Sequence, residues 1–146
     1  MLTRKSTAVW RGNGMQGSGT LDTQSGAFHD QPYSFKTRFG SEDGKAGTNP
    51  EELIAAAHAG CYAMALSFAL SGAGHAPDEL RVSATVSLDK DGAGFAIKSI
   101  ALALEAKVPG VDAAQLQALA EDAKKNCPVS KALAAVPISL EAKLVS

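Results

Sequence analysis

The segment Gly47-Thr48-Asn49-Pro50-Glu51-Glu52-Leu53-Ile54-Ala55-Ala56-Ala57-His58-Ala59-Gly60-Cys61, continued by Tyr62-Ala63-Met64-Ala65-Leu66-Ser67-Phe68-Ala69-Leu70, decides the architecture. Thr48 or Asn49 supplies a helix N-cap, Pro50 suits the first helical position, and Glu51 and Glu52 place negative charge at the positive end of the dipole. From Ile54 to Leu70 the only strongly polar side chains are His58 and Ser67, so the helix is apolar on nearly every side. A helix of that kind is either fully buried or spans a membrane. The run is shorter than the roughly 20 residues a span requires and contains His58, which predicts a central core helix and no membrane partner. Its many alanines and Gly60 let another backbone approach closely. Gly72-Ala73-Gly74 ends it.

Outward from this helix the pattern turns to strands. Upstream, Ser6 to Arg11 and Gly19 to Thr23 read as short strands around Gly12-Asn13-Gly14. Tyr33, Phe35, Thr37 and Phe39 alternate with Ser34, Lys36 and Arg38, which predicts a third strand with Arg38 on its polar face. Gly40 to Gly47 reads as a loop. Downstream, Leu80 to Leu88 alternates apolar with polar residues, Asp91-Gly92-Ala93-Gly94 turns the chain, and Phe95 to Val108 returns as an antiparallel partner. Asp112 caps a second helix to Asn126, Pro128 opens a short third helix through about Ala134, and Ile138 to Leu144 forms a last strand. The class is α+β.

At 146 residues the chain is sized for a single domain, 1–146. Fourteen basic against 15 acidic side chains leave a net charge of -1, and aromatics make up only 5%. A strong basic field and a base-stacking platform are both missing, so nucleic acid is not an expected partner. The apolar stretch after Met1-Leu2-Thr3-Arg4-Lys5 stops at Arg11, too short for a secretory core, and the expected location is cytoplasmic. In a reducing compartment two cysteines are either packing or chemistry.

The residues alone leave that choice open. Cys61, inside an alanine-rich helix, fits a small buried hydrophobe. Cys127, in Asn126-Cys127-Pro128, sits where a helix begins and its unpaired N–H groups favour a thiolate, while cysteine is not a favoured cap. No C-x-x-C occurs. His58, three residues before Cys61, could join both cysteines at a metal, but three soft ligands without a metal-binding spacing fit a packed histidine better. His29 and His75 fall in turn-like sequence. No cofactor is expected.

Taken together, Gly47 to Cys61 and Cys127-Pro128-Val129-Ser130 resemble the OsmC/Ohr family of bacterial thiol-dependent hydroperoxide reductases. The likeness extends through Gln31-Pro32-Tyr33-Ser34-Phe35-Lys36-Thr37-Arg38-Phe39 and Val86-Ser87-Leu88-Asp89-Lys90, and is greatest to the OsmC, osmotically inducible branch. In the Ohr branch the active-site arginine lies nearer the N-terminus, where this chain is glycine-rich, so the role falls to Arg38. The resemblance implies an intertwined homodimer in which antiparallel sheets wrap around two long central helices. It implies Cys61 as the peroxidatic cysteine, Cys127 as the resolving one, Glu51 and Arg38 as the polar residues that organise the thiolate, and a lipoyl-type dithiol as reductant.

The chemistry agrees. A thiol peroxidase needs a thiolate, a cation to hold it and stabilise the leaving alkoxide, and a second thiol to capture the sulfenic acid, and Cys61, Arg38 and Cys127 supply all three. Glu51 precedes Cys61 by ten residues on one helix, about 15 Å of rise, so help from Glu51 in placing Arg38 at Cys61 is expected from the partner subunit. An apolar lining of Ala57, Tyr62, Met64, Leu66 and Phe68 would favour organic hydroperoxides over hydrogen peroxide. The expected function is reduction of organic hydroperoxides to alcohols in oxidative or osmotic stress defence; the rival reading is a non-enzymatic dimer holding a lipid-like ligand.

Overall fold

The computed structural model describes residues 1–146. The chain forms two compact units, Met1–Leu53 and Ile54–Ser146.

In the first unit β1 (Ser6–Arg11), β2 (Ser18–Thr23) and β3 (Gln31–Tyr33) form an antiparallel sheet in that order. Trp10 and Tyr33 pack with ring centroids 5.4 Å apart. Their approach requires Gly19 between them, where a Cβ would lie 2.5 Å from the Tyr33 ring. The third strand stops at Tyr33, short of the predicted Phe39, and α1 (Phe35–Phe39) follows. The alternation there is coincidental, because a capping box overrides it: the Thr37 N–H donates to Ser34 Oγ at 3.3 Å and the Ser34 N–H to Thr37 Oγ1 at 2.9 Å. Arg38 therefore projects from a helical turn and not from a strand face.

The central helix α2 runs Pro50–Gly72. Asn49 is its cap, its Oδ1 accepting the Glu52 N–H at 2.8 Å. The helix ends as expected, with the His75 N–H donating to Leu70 O at 2.9 Å and Gly74 at φ +87°.

The second unit continues with β4 (Glu79–Asp91) and β5 (Gly94–Lys107), an antiparallel hairpin closed through Gly92 at φ +61°. The register shifts where Ser87 faces Ser99 and Leu88 faces Ile97, leaving Lys98 extra on β5. That bulge lets Ile97 and Ile100, three residues apart, both turn toward the core side. Next come α3 (Ala113–Asn126), capped by Asp112, α4 (Pro128–Ala132) and β6 (Ile138–Leu144). β6 pairs parallel to β5, so this sheet is mixed and not antiparallel throughout. A parallel pair needs a crossover, and α3 with α4 provides it.

The core of this unit joins Tyr62, Leu66 and Leu70 of α2 to Leu102, Leu104 and Ala106 of β5 and to Leu116, Ala120 and Ala123 of α3. His58, Tyr62, Leu66 and Leu70 form one fully buried stripe at four-residue spacing. Ala56, Gly60, Met64 and Phe68 form a second, exposed stripe, with Met64 at 64% and Phe68 at 74%. The expectation of a helix buried on every side therefore fails for a single chain. α2 is 23 residues long, enough in length and apolarity to cross a membrane, and 22% of its most apolar window is buried.

Candidate active site

Cys61 lies on α2, and Cys127 is the single extended residue (φ -56°, ψ 122°) joining α3 to α4. Though 66 residues apart in sequence, their sulfurs are 3.0 Å apart, and both thiols are free. Two hydrogen bonds fix the helices around them. The Tyr62 hydroxyl donates to Ala120 O of α3 at 3.1 Å, and His58 Nε2 meets Ser130 Oγ of α4 at 2.7 Å. Tyr62 and His58 are completely buried, so these bonds act without competition from water and set the register of α2 against α3 and α4. A disulfide requires about 2.05 Å between sulfurs, so the pair is about 1 Å from bonding.

The two thiols are unlike. Cys127 is fully buried and Cys61 only partly. Burial and the hydrogen bond with Cys127 push the Cys61 thiol up, against a lowering contribution from the Val129 backbone. At Cys127 burial also acts upward, but hydrogen bonds from Cys61, from the backbone and hydroxyl of Ser130, and from the Val129 backbone outweigh it, and the thiol lies below its ordinary range.

The first unit carries the other two predicted residues. Arg38 Nε donates to Glu51 Oε1 and Oε2 at 3.1 and 3.3 Å, and Nη2 to Oε1 at 2.8 Å. Glu51 is 8% exposed and the Arg38 side chain 39%. Asn49 Nδ2 donates to Thr37 O at 3.3 Å, tying the end of α1 to the cap of α2 and fixing both partners. At Gly47 a Cβ would fall 2.8 Å from Thr37 Cγ2, so this close return of the loop requires glycine. The guanidinium also lies 4.9 Å from the Phe39 ring centroid.

The structure thus brings the four predicted residues together as two pairs, Cys61 with Cys127 and Arg38 with Glu51. The second pair forms within one chain, so Glu51 already holds its own Arg38. The predicted apolar lining does not form: Tyr62 and Leu66 belong to the buried stripe of α2, and Met64 and Phe68 to the opposite one. An open cavity of about 410 Å³ lies instead beside Arg38, lined by Trp10, Met15, Tyr33, Phe35 and Phe39. Trp10 comes from β1, Met15 from the turn after it, Tyr33 from β3, and Phe35 and Phe39 from α1, so the strand-like alternation of Tyr33 to Phe39 gave no sign of a shared cavity. Ser130 was legible only as the residue one helical turn after Cys127. His58 makes the buried hydrogen bond expected of it.

A mixed α+β fold, with one partly exposed cysteine facing a buried one and an arginine fixed by a buried carboxylate, defines a class of paired-thiol proteins. The model of the OsmC-like protein family matches residues 41–141, and the chain belongs to that family. It is 50% identical to Peroxiredoxin OsmC of Escherichia coli strain K12 over 99% of both chains. It is also 39% identical over 64% of its length to the organic hydroperoxide resistance protein OhrA of Bacillus subtilis, covering 66% of that protein. Among solved structures it is similar to the organic hydroperoxide resistance protein OhrB of Bacillus subtilis, with TM-score 0.74 and 28% identity, covering 99% of this chain and 98% of that one.

Proposed function

We propose that the protein is a cysteine-based peroxidase that reduces organic hydroperoxides to alcohols. The observation that carries this reading is the 3.0 Å approach of a partly exposed thiol to a fully buried one. Peroxide reaches Cys61, and Cys127 waits behind it. The similarity to a peroxiredoxin and to a hydroperoxide resistance protein supports the same reaction.

The reaction starts when a cation at Cys61 draws charge onto that sulfur and its proton crosses to Cys127. The Cys61 thiolate attacks one peroxide oxygen; an S–O bond forms, the O–O bond breaks, and the alkoxide takes the Cys127 proton to leave as alcohol. The Cys127 thiolate then attacks the Cys61 sulfenic acid. An S–S bond forms, the S–O bond breaks, and hydroxide leaves with a solvent proton as water. A dithiol of the lipoyl type, in a reducing cytoplasm, is the proposed reductant.

Arg38 is the proposed cation. Its carboxylate partner Glu51 is ten residues from Cys61 on one helix, about 15 Å of rise, so the Arg38–Glu51 pair is proposed to serve the thiol of a second copy. The exposed stripe Ala56, Gly60, Met64 and Phe68 supports that assembly, because two small residues let helices approach and two large ones reward it with apolar burial. The aromatic cavity beside Arg38 favours a hydrocarbon-bearing peroxide.

The test is free-thiol titration of reduced protein before and after one equivalent of cumene hydroperoxide, with peptide mass mapping. Loss of both thiols with a Cys61–Cys127 crosslink is expected. Unchanged thiols would return the cysteines to packing and favour a ligand-binding dimer.

A further inference from the structure

His58 and Cys61 are one turn apart on α2, and Cys127 and Ser130 are one turn apart at the start of α4. The helices face each other so that the two pairs make two rungs: sulfur to sulfur at 3.0 Å and His58 Nε2 to Ser130 Oγ at 2.7 Å. The second rung is wholly inside the protein, with His58 at 0% and Ser130 at 5% exposure. The peroxidase cycle described above does not use it. We propose that His58 and Ser130 are a positioning pair that holds Cys127 as an aimed thiolate for disulfide formation, a step that rests on Cys127 being the resolving thiol.

The buried Nδ1 of His58 has no hydrogen-bond partner, whereas Nε2 has one. Burial pushes His58 below its ordinary range, so the ring is neutral and carries one proton. Orphaned buried N–H donors are rarer than under-satisfied acceptors, which places that proton on Nε2 and leaves Nδ1 as a bare lone pair. Ser130 Oγ then accepts from His58, and its own proton remains for a third partner. That partner is Cys127, one turn earlier at the start of α4, whose thiol the Ser130 hydroxyl lowers. The order is His58 N–H to Ser130 O, then Ser130 O–H to Cys127 sulfur. Without His58 the hydroxyl is free to rotate away; with it, the donor is fixed on the thiolate.

Other groups near Cys127 do not replace this one. On α2 they are Cys61 and Tyr62, and burial together with the charges of Glu121 and Cys127 pushes the Tyr62 phenol well above its ordinary range, so it stays protonated. On α3, Glu121 is paired with Lys124 at 3.2 Å. Lys131 of α4 and Glu141 and Lys143 of β6 are exposed.

Removing one hydrogen bond to a charged sulfur lowers the thiolate fraction about tenfold below its titration midpoint. The more basic thiolate attacks about threefold faster, from a Brønsted coefficient of about 0.4–0.5. Disulfide formation therefore slows about threefold near neutrality and speeds up about threefold once both proteins are fully ionised. The two pH profiles cross.

Reduced full-length protein is mixed with cumene hydroperoxide, quenched at intervals and alkylated, and Cys61 sulfenic acid, disulfide and sulfinic acid are quantified by mass. For Ser130→Ala and His58→Leu the disulfide step, relative to the sulfenic step, is expected to follow the crossing profile, with more Cys61 sulfinic acid. Ser130→Thr and His58→Gln, which retain a donor, should move the profile back. A profile parallel to the parent's, slower or unchanged, overturns the proposal. If the alanine or leucine variant does not fold, nitrogen NMR of the parent decides: protonated Nε2 supports the relay and protonated Nδ1 overturns it. A parent that forms no sulfenic acid removes the peroxidase reading and this one together, a result the variants cannot mimic.

Discussion

Oxidation should stabilise this protein by an amount calculable from the position of its cysteines. A Cys61–Cys127 bond closes a loop of 66 residues, and the loop-entropy relation gives about 4.3 kcal/mol of stabilisation at 25 °C through the unfolded state. The sulfurs already lie 3.0 Å apart between helices pinned by Tyr62 and His58, so bonding requires little rearrangement. It removes the hydrogen-bonded thiol pair, a loss of about 1 kcal/mol, leaving about 3 kcal/mol net. For a chain near 150 residues that raises Tm by roughly 6–12 °C. The comparison is thermal and urea unfolding of reduced and peroxide-oxidised protein at one protomer concentration, with Cys127→Ser as a control that should show no redox dependence. The urea m-value should also fall on oxidation, since a cross-linked unfolded chain exposes less surface. A Tm difference under about 2 °C, or a crosslink that migrates between chains on non-reducing gels, would refute the geometry.

Replacing Glu51 by Gln leaves Arg38 without its charged anchor and should lower kcat/KM for cumene hydroperoxide roughly tenfold or more, from the 1.5–3 kcal/mol typical of charge-assisted hydrogen bonds; retention of full efficiency would exclude a role for the pair. Phe68→Asp places a charge on the exposed stripe of α2 and should yield monomers by light scattering with little peroxidase activity. Mixing inactive Arg38→Ala with inactive Cys61→Ser should recover about a quarter of the activity if subunits exchange at random, since half the dimers are mixed and each holds one intact site; no recovery would put the cation and thiol of one chain together. His58 has a lowered folded pKa, so between its unfolded value and that lower value the unfolded chain binds more protons and stability falls as pH falls. His58→Leu should flatten that slope below about pH 6.5, as read by urea midpoints.

The helix that carries Cys61 was legible in full because its signals are local: a cap, a proline, two acids and a glycine end. Both cysteines and Arg38 and Glu51 were legible as residues, but their pairing was expected only from the family resemblance, because the approach of Cys61 to Cys127 depends on tertiary packing that no spacing encodes. Tyr33 to Phe39 misled for a physical reason. Three aromatics at alternate positions satisfy strand periodicity, yet Ser34 and Thr37 can close a capping box, and in so short a segment the box decides. Ile97 and Ile100 read as one apolar face only because a bulge at Lys98 makes it so. The aromatic cavity beside Arg38 was invisible, being assembled from residues as far apart as Trp10 and Phe39.

The same helix explains why the redox residues divide as they do. α2 has one stripe committed to its own core and another left exposed, and Cys61 sits beside the committed one. The proposed resolution by Cys127 needs that thiol held close, and His58 and Tyr62 on the buried stripe supply the rigid frame. Within that frame the Cys127 thiol is lowered and that of Cys61, the sulfur proposed to attack peroxide, is raised. Correcting that needs a cation from outside the frame. The proposed cation, Arg38, is held by the Glu51 carboxylate at the start of α2. In the proposed dimer one chain's cation completes another chain's thiol pair, which makes dimerisation a condition of the proposed chemistry.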